Sequence, residues 1–239
     1  MKVSLFVTCL VDQFYPQVGL SAVRILERLG VEVDFDSRQT CCGQPAFNSG
    51  YTEEARQVGC GLLDLYQDQE WIVTPSGSCC SMIKVFLPKI VSDDHHYSEL
   101  ARDVSTRVWE LSDFLVSVLG VESTGASFKA RATYHDSCHL LRELGIQDPP
   151  RRLLREVADL DLREMEGSER CCGFGGTFSV KFPEISSEMG DNKLRAIEQT
   201  GAQYVIATDA SCLMHLEGLI KREKSELQAM HIAEVLAQF

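Results

Sequence analysis

Short apolar runs along this chain alternate with longer segments in which apolar residues recur at helical spacing. In the first half the short runs are Val3–Thr8, Val31–Phe35 and Trp71–Thr74, and their β-branched and aromatic content predicts strands. The segments between such runs predict amphipathic helices, whose apolar stripes we expect to face the core. These stripes are Val18, Ala22, Ile25/Leu26 and Leu29, then Ala55, Val58, Leu62 and Tyr66, and in the second half Ile185, Met189 and Ala196/Ile197.

The chain also repeats itself at an offset of about 130 residues. The segment "TCCGQP" around Cys41 has a second copy in "RCCGFG" around Cys171, and "LFVTCL" around Cys9 corresponds to "TYHDSCHL" around Cys138. "WIVTPSGSC", which ends at Cys79, corresponds to "YVIATDASC", and "VWELSDFLVSVL" corresponds loosely to "AMHIAEVLAQF". Four segments in the same order at a nearly constant offset indicate a tandem duplication.

The alternation and the repeat together predict the fold class. Alternating strands and helices favour a parallel sheet covered by helices. We therefore expect an α/β protein with two tandem, pseudo-symmetric lobes, each a small parallel sheet flanked by helices. The predicted repeats span residues 1–120 and 131–239, and the Gly/Ser/Thr-containing stretch at about 121–130 is the expected linker.

Composition and net charge limit the classes of partner that we expect for this protein. Hydrophobic residues make up 44% of the 239 residues and charged residues 24%, which is enough apolar material for a packed core. The formal net charge of −12 disfavours nucleic acid and anionic membranes as partners, because both are polyanions. The apolar run from Val3 to Val11 is far shorter than the ~18 residues of a membrane span and lacks a cleavage signal. We therefore expect a cytoplasmic protein without an integral membrane span.

Ten cysteines in a reducing compartment indicate metal binding rather than disulfides. Eight of them form four equivalent pairs, with four cysteines in each repeat, and each lies just after a predicted strand or shortly before a helix. The carboxyl ends of parallel strands gather at one edge of a sheet, so four thiols from separate loops are expected to converge in each lobe. The predicted metal ligands are Cys9, Cys41, Cys42 and Cys79 in the first repeat, and Cys138, Cys171, Cys172 and Cys212 in the second.

The spacing of these thiols favours an iron–sulfur cluster. It differs from the short Cys-x2-Cys knuckles of a zinc ribbon and from the clustered cysteines of bacterial ferredoxins. Adjacent cysteines suit a cofactor with several metal corners, so we expect one 4Fe–4S cluster per repeat, with zinc as the alternative. Backbone amides stabilise the negative charge of such a cluster, and glycine lets them approach closely. The glycines expected to serve this purpose are Gly43, Gly77, Gly173 and Gly175.

The motifs "TCCGQPAFNSGY", "PSGSC", "CCGFGGTFSVK", "SCL" and "MHIAEVL" resemble those of the LutA/YkgE family, the lactate utilisation proteins A. That family belongs to a wider group with duplicated CCG cysteine-rich domains, which includes the glycolate oxidase iron–sulfur subunit and the cysteine-rich subunit of heterodisulfide reductase. The resemblance implies a non-catalytic iron–sulfur electron-transfer subunit of an L-lactate (2-hydroxy acid) oxidising complex. It also implies LutB- and LutC-like partner subunits.

One departure from the wider CCG pattern keeps alternatives open. That pattern ends each repeat in Cys-x-x-Cys, but the first of these positions holds Ser76 in one repeat and Asp209 in the other. The missing thiols weaken the case for a thiol/disulfide reductase of the heterodisulfide reductase type, which uses five cysteines per repeat. That catalytic role and a structural zinc module are the two alternatives to an electron carrier.

The other cysteines, histidines and aspartates near the predicted sites have simpler, structural explanations. Cys60 lies on an apolar helix stripe and is expected in the core, and Cys80 has no counterpart in the second repeat. The histidines near the second set of cysteines have no counterparts in the first repeat, which favours a structural role, or one that supports the metal ligands, over direct metal ligation; they are His135, His139 and His215. Asp136 and Asp209 could either surround the cluster or cap helices, and helix caps are the default expectation.

Overall fold

The computed structural model describes residues 1–239 and contains two four-stranded parallel sheets. The strands of the first lobe are β1 (Lys2–Leu5), β2 (Glu32–Asp34), β3 (Ile72–Thr74) and β4 (Val108–Glu110). Those of the second lobe are β5 (Ser127–Tyr134), β6 (Ala158–Leu162), β7 (Tyr204–Ala207) and β8 (Gln228–His231). The strand orders are β2-β1-β3-β4 and β6-β5-β7-β8, with every neighbouring pair parallel. The predicted α/β fold class with two equivalent lobes is confirmed.

Helices connect the strands in both lobes. The first lobe contains α1 (Cys9–Phe14), α2 (Pro16–Arg28), α3 (Gln44–Asn48), α4 (Thr52–Tyr66), α5 (Gly77–Ser81), α6 (Leu87–Ile90), α7 (His95–Arg107) and α8 (Leu111–Asp113). The second contains α9 (Cys138–Arg142), α10 (Asp148–Arg155), α11 (Thr177–Lys181), α12 (Pro183–Gln199), α13 (Ala210–Glu223) and α14 (Ile232–Leu236). Two π-helical turns, Met82–Phe86 and Phe114–Val118, follow α5 and α8. None of the helices combines the length and apolar character that a membrane crossing requires.

The two lobes share their largest hydrophobic cluster, and each lobe also has a smaller cluster of its own. The largest cluster of buried apolar side chains has 26 members and draws on both lobes, with Leu5 and Ile25 from the first and Tyr134, Ile206 and Ile232 from the second. Helices α2 and α14 pack against each other within it. Because apolar burial is the dominant favourable term in folding, this shared core fixes how the lobes sit relative to each other.

The predicted stripe of α12 is wrong at Ile185. Its side chain is 55% exposed, and the helix instead buries Ser186, Gly190, Lys193, Leu194 and Ile197. A Cβ atom on Gly190 would lie 2.1 Å from Leu219 Cδ1, so α12 lies very close to α13 at this point. The helix therefore turns its small residues toward the core, which rotates Ile185 into solvent.

The connection between the lobes is shorter than expected. Strand β5 begins at Ser127, so residues 127–130 of the stretch that we expected to be a linker belong to the second sheet. Ser127 N donates a hydrogen bond to Gln238 O, and Thr124 Oγ1 donates to Leu236 O. The connecting segment is thus fastened to the C-terminal end of the chain.

Candidate metal centre

Equivalent elements in the two lobes position the eight predicted cysteine ligands. Cys9 begins α1 directly after β1, and Cys138 begins α9 directly after β5. Cys79 and Cys212 lie in the first turns of α5 and α13, which follow β3 and β7. The doublets 41/42 and 171/172 occupy the loops after β2 and β6. All four ligand positions of each lobe are therefore at the carboxyl edge of its sheet, as the alternation pattern predicts.

Within each lobe the thiols converge. Cys9 Sγ lies 3.7 Å from Cys41 Sγ, and Cys42 Sγ lies 3.4 Å from Cys79 Sγ. In the second lobe the Sγ atoms of Cys172 and Cys212 lie within 4.8 Å of each other. All of these cysteines are free thiols. We call them the first quartet (Cys9, Cys41, Cys42 and Cys79) and the second quartet (Cys138, Cys171, Cys172 and Cys212).

Burial follows the same pattern in both quartets. The cysteine after the first strand of each sheet and the leading cysteine of each doublet are half-buried, whereas the other two cysteines of each quartet are buried. Each quartet thus has an accessible side and an interior side. This match at every position indicates that the duplication preserved the geometry of the sites and not only the sequence letters.

Both quartets open onto the same cavity. A cavity of about 340 Å³ lies between the lobes, and all eight quartet cysteines line it. Ser76, Ser78 and Asp209 also contribute to its wall. The sequence predicts two separate sites, and their location on one shared cavity follows from the packing of the lobes.

The glycine after each doublet brings a backbone amide to a sulfur. Gly43 N lies 3.5 Å from Cys41 Sγ, and Gly173 N lies 3.4 Å from Cys171 Sγ. Both glycines have positive φ, +88° and +95°, where a side chain is strained. Gly175 lines the cavity, but Gly77 has a different neighbour: a Cβ there would lie 2.6 Å from Leu140 Cβ of the second lobe.

We expect Gly173→Ala to destabilise the protein by about 2 kcal/mol or more, because the variant combines a strained φ with a clash. A Cβ at this position would lie 2.5 Å from Ser186 O, a backbone atom of α12. The matched control is Gly145→Ala, since Gly145 has φ +69° and open space around it. Urea unfolding of both variants separates the clash from the backbone strain, and equal losses would show that the close approach to α12 is unimportant.

Hydrogen bonds between the thiols shift their pKa values in opposite directions. Those from Cys42 and Cys9 lower the pKa of Cys41 to about 3, and those from Cys138 and Cys172 hold the pKa of Cys171 well below its usual range. The same contacts, together with burial, raise the pKa values of Cys42 and Cys172. Each metal-free quartet therefore shares protons among its thiols, and a bound metal has to displace them.

Asp209 joins the lobes at the cavity wall. Its Oδ1 accepts hydrogen bonds from Ser76 Oγ at 2.7 Å, Ser78 Oγ at 2.7 Å and Ser78 N at 3.0 Å. Its Oδ2 is buried and has no hydrogen-bond partner. The expectation that Asp209 caps its own helix is wrong: it precedes α13, but its side chain reaches the start of α5 in the other lobe. The two positions that lack the expected cysteines thus contact each other.

Asp209→Ala is expected to weaken the interface between the lobes by on the order of 3 kcal/mol, because it removes several hydrogen bonds to a buried carboxylate. The variant should unfold at lower denaturant concentration, and partial opening should appear as faster amide exchange at the start of α5. Asp209→Asn keeps an acceptor oxygen and is expected to lose less. A loss below about 0.5 kcal/mol for Asp209→Ala would contradict a role in holding the lobes together.

A buried ion pair supports the loop that carries the second doublet. Arg151 Nη1 and Nη2 each donate to Asp136 at 2.7 Å, and Ser168 Oγ donates to Asp136 Oδ2 at 2.8 Å. Lys193 Nζ donates to Gly167 O and Ser168 O from α12. Asp136 is therefore not a helix cap, as we expected, but the centre of a network that ties this loop to the end of β5. Sequence patterns gave no signal for Arg151.

The first lobe supports its doublet with a neutral side chain. Gln39 Oε1 accepts a hydrogen bond from Val7 N at 2.7 Å, and Gln39 Nε2 donates to Leu5 O at 3.3 Å. Val7 occupies the position in the first repeat that Asp136 occupies in the second. The two lobes thus fix equivalent loops with different chemistry.

The other cysteines and histidines occupy several environments. Cys80 is buried, and burial raises its pKa, whereas Cys60 is half-buried on α4; neither lines the cavity. His139 lines the cavity, with Nδ1 3.2 Å from Glu143 Oε2. His215 Nε2 lies 3.5 Å from Ser186 Oγ. His135 is fully buried beside Cys172 and Cys212, with no hydrogen-bond partner on either ring nitrogen.

The donor set fits a thiolate-bound metal centre. Four sulfurs converge in each lobe, all four cysteines line a cavity, two of them are half-buried, and a backbone amide approaches one sulfur. Thiolates are soft ligands that select zinc, copper(I) or iron–sulfur clusters. The arrangement therefore suits either an iron–sulfur cluster or zinc.

Comparison with known proteins identifies the same repeats. The family model for the CCG cysteine-rich domain matches residues 3–84 and 132–217. These ranges contain all eight cysteines of the two quartets. Each match extends from within the first strand of one lobe past its third strand, and so contains the strand ends that carry the quartet.

Full-length relatives share about half of their residues with this chain. It is 48% identical to the lactate utilization protein A of Bacillus subtilis (strain 168), over 99% of both chains. It is 50% identical to the protein of the same name from Geobacillus kaustophilus (strain HTA426), over 99% of this chain and 98% of that one. The resemblance inferred from the motifs is confirmed.

A solved structure supports the fold independently. A hypothetical protein from Helicobacter pylori superimposes with a TM-score of 0.70 at 10% identity, over 99% of this chain and 49% of that chain. At this low identity the likeness concerns the fold alone. The paired-lobe architecture is therefore retained when most of the sequence differs.

Proposed function

This chain belongs to the lactate utilization protein A family, which is built from two CCG cysteine-rich domains, and we propose that it is an iron–sulfur electron-transfer subunit of an L-lactate (2-hydroxy acid) oxidising complex. In this proposal the first and second quartets each hold one cluster, of the 4Fe–4S type. The chain contributes no catalytic residue of its own. It passes electrons from the oxidation of the 2-hydroxy acid toward an acceptor.

The observation that carries this proposal is the convergence of eight free thiols on one cavity between the lobes. Soft sulfur ligands at this density suit an inorganic redox centre, and iron–sulfur clusters bound there supply one-electron chemistry. Two sites on the same cavity give a short path for an electron. The half-buried cysteines leave each site reachable from that cavity, which an electron carrier requires.

The residues around the quartets supply charge balance and rigidity. The amides of Gly43 and Gly173 place a partial positive charge near a thiolate, which stabilises a negatively charged cofactor. Asp209 holds the start of α5 against the second lobe. This contact between the lobes fixes the position of the first quartet relative to the second.

The partners and the location of the protein are part of the proposal. By analogy with the family we infer LutB- and LutC-like partner subunits and a cytoplasmic location. The net charge of −12 supports protein partners over nucleic acid. A partner that docks near the cavity would have to bring its own redox centre close to the half-buried cysteines Cys9, Cys41, Cys138 and Cys171.

A structural zinc module is the second candidate. The sulfur distance between Cys9 and Cys41 favours it, whereas the 3.4 Å between the sulfurs of Cys42 and Cys79 is shorter than zinc ligation gives. Zinc–thiolate bonds of about 2.3 Å in a tetrahedron place neighbouring sulfurs about 3.8 Å apart. The separation of 3.7 Å between Cys9 and Cys41 is close to that value. A thiol/disulfide reductase has less support, because Ser76 and Asp209 replace the fifth thiols and hydrogen-bond to each other.

Metal and sulfide analysis tests the proposal. We expect anaerobically purified protein to contain iron and acid-labile sulfide in equal amounts and to show broad absorption near ~400 nm that bleaches on reduction. Colourless protein with stoichiometric zinc would establish the zinc module instead. Turnover of an added disulfide by the isolated, reduced chain would overturn the carrier role in favour of a catalytic subunit.

The lactate link needs a separate experiment. The protein is mixed with its purified partner subunits and L-lactate without oxygen, and the bleaching of its chromophore is followed. We expect bleaching with lactate and none without the partners, because the isolated chain has no lactate-oxidising site in this proposal. If another 2-hydroxy acid bleaches the chromophore and L-lactate does not, the protein is still an electron carrier, and only the substrate of the complex is different.

A further inference from the structure

The two lobes differ at one buried position next to the quartets. Aligning Cys9 with Cys138 places Phe6 and His135 at equivalent positions. Phe6 N donates to Val73 O at 2.8 Å, and His135 N donates to Ile206 O at 2.8 Å, so the backbones match as well. Both side chains are 0% exposed. The duplication thus carries an apolar ring in one lobe and an imidazole in the other.

The apolar ring has an ordinary packing role. Phe6 packs edge-on against Tyr66, with the ring centroids 5.9 Å apart, inside the hydrophobic cluster of the first lobe. An aromatic side chain at this position therefore suffices for the core. Packing alone does not explain why the second lobe has a polar ring there.

The imidazole of His135 has no hydrogen-bond partner in this structure. Both Nδ1 and Nε2 are buried, and neither makes a hydrogen bond to an oxygen, nitrogen or sulfur atom. Any protonation state of the ring leaves at least one N–H donor, and a buried donor without a partner costs free energy. The sulfurs of Cys172 and Cys212 are the metal-ligand atoms near this ring, and one ring nitrogen and both Sγ atoms lie within 4.8 Å of one another.

The ring approaches these sulfurs from the protein interior. Cys172 and Cys212 line the cavity between the lobes, whereas His135 does not. A metal centre reached from the cavity and the imidazole would therefore contact the same sulfurs from different sides.

We propose that His135 is a positioning residue that donates an N–H···S hydrogen bond to the Cys212 thiolate and thereby makes the second metal site easier to reduce than the first. A donor to a ligating sulfur withdraws negative charge from the centre and raises its reduction potential. Phe6 cannot donate, so the first site lacks this effect. At equilibrium an electron is therefore held mainly by the metal site of the second lobe. The statement about potential rests on the proposed iron–sulfur function.

The first experiment examines the hydrogen bond without a cluster. Metal-free, reduced protein labelled with ¹⁵N-histidine is expected to show a slowly exchanging imidazole N–H signal that disappears in His135→Phe. Cys212→Ala should shift this signal, whereas Cys79→Ala, the matched change in the first lobe, should not. A signal that is absent or insensitive to Cys212→Ala overturns the hydrogen bond, whatever metal the protein carries.

The second experiment measures potentials in the cluster-loaded protein. His135→Phe gives the second lobe the residue of the first, and we expect its one-electron reduction equilibrium to shift toward the oxidised form by about tenfold, which is ~59 mV. The signal of the first lobe and the iron content should stay unchanged. His135→Gln retains an N–H donor and should recover part of the shift, which also guards against a folding defect in the phenylalanine variant.

The outcomes separate this inference from the function on which it rests. Absence of iron and sulfide in the unmodified protein refutes the iron–sulfur function and with it the statement about potential, while the nuclear magnetic resonance result still decides the hydrogen bond. Unchanged potentials in His135→Phe with full iron content overturn the role of His135 alone. Loss of iron in that variant, with direct ¹⁵N coupling in pulsed electron paramagnetic resonance of the unmodified protein, would show a metal ligand instead and also overturn it.

Discussion

Cys171→Ala is expected to remove the metal from the second quartet and leave the first quartet loaded, so that about half of the bound metal is lost. Cys171 is the half-buried leading cysteine of its doublet, it lines the cavity, and Gly173 N lies 3.4 Å from its sulfur. Without this thiol, the second quartet has three thiols and an open position on the side that faces the cavity. Iron and sulfide analysis of the anaerobically purified variant measures the loss.

Two matched variants make this result interpretable. Cys41→Ala changes the equivalent residue of the first lobe and should remove the other half of the metal. Cys60→Ala changes a half-buried cysteine on α4 that does not line the cavity, and it should retain full metal content. Equal loss from both quartets in Cys171→Ala would contradict two independent sites. It would show that the shared cavity binds its metal as one unit.

Arg151→Ala is expected to destabilise the protein by about 3–5 kcal/mol, because it leaves the Asp136 carboxylate buried without its counter-ion. The side chain of Asp136 is 1% exposed, and two guanidinium nitrogens contact it at 2.7 Å. For a chain of this size the loss corresponds to a fall in Tm of roughly 10 °C. Thermal unfolding of the metal-free protein measures it without interference from metal binding.

The control for this variant is Arg195→Ala. Arg195 pairs with Glu188 on the surface, where the two side chains are 58% and 68% exposed, and such pairs contribute less than about 1 kcal/mol. We expect the loop that carries Cys171 and Cys172 to become mobile in Arg151→Ala and to stay ordered in the control. Equal stability of the two variants would contradict a structural role for the buried pair.

The same ion pair sets a dependence of stability on pH. Burial alone would raise the pKa of Asp136, but the hydrogen bonds from Arg151 and Ser168 outweigh it and hold the pKa below its usual range. A carboxyl whose pKa is depressed in the folded state stabilises the protein above its unfolded pKa of about 4. This contribution is lost as the pH falls through the folded pKa, so Asp136→Asn should flatten the acid limb of the stability profile.

The strand–helix pattern and the repeat were sufficient to predict the architecture. β-branched and aromatic runs predicted β1, β2 and β3 near their observed places, because these residue types favour strands through their own local preferences. The offset of about 130 residues between cysteine segments predicted two equivalent lobes. The stripe on α12 failed at Ile185 because the close approach of Gly190 to α13 decides which face is buried, and that contact involves a residue far along the chain.

The sequence predicted which cysteines form the candidate site, but not where the site lies relative to the two lobes. The positions of the eight cysteines at predicted strand ends indicate convergence within each lobe, and the structure brings Cys9 to Cys41 and Cys42 to Cys79. The contacts that connect the lobes had no signal in the sequence. In the sequence, Ser76 and Asp209 are noticed only because they stand where the wider CCG pattern has a cysteine. The structure shows that their side chains hydrogen-bond to each other.

From the amino-acid sequence we could predict the candidate ligand type, the number of thiols per repeat and the strand-end loops that carry them, because residue identity and local periodicity encode these properties. The packing of the folded chain was needed to show that both quartets face one cavity, that Arg151 pairs with Asp136, and that His135 lies beside two sulfurs of the second quartet. These contacts depend on how two separately encoded sheets pack through their common apolar surface. That surface is assembled from residues of both halves, so no local pattern in either half contains it.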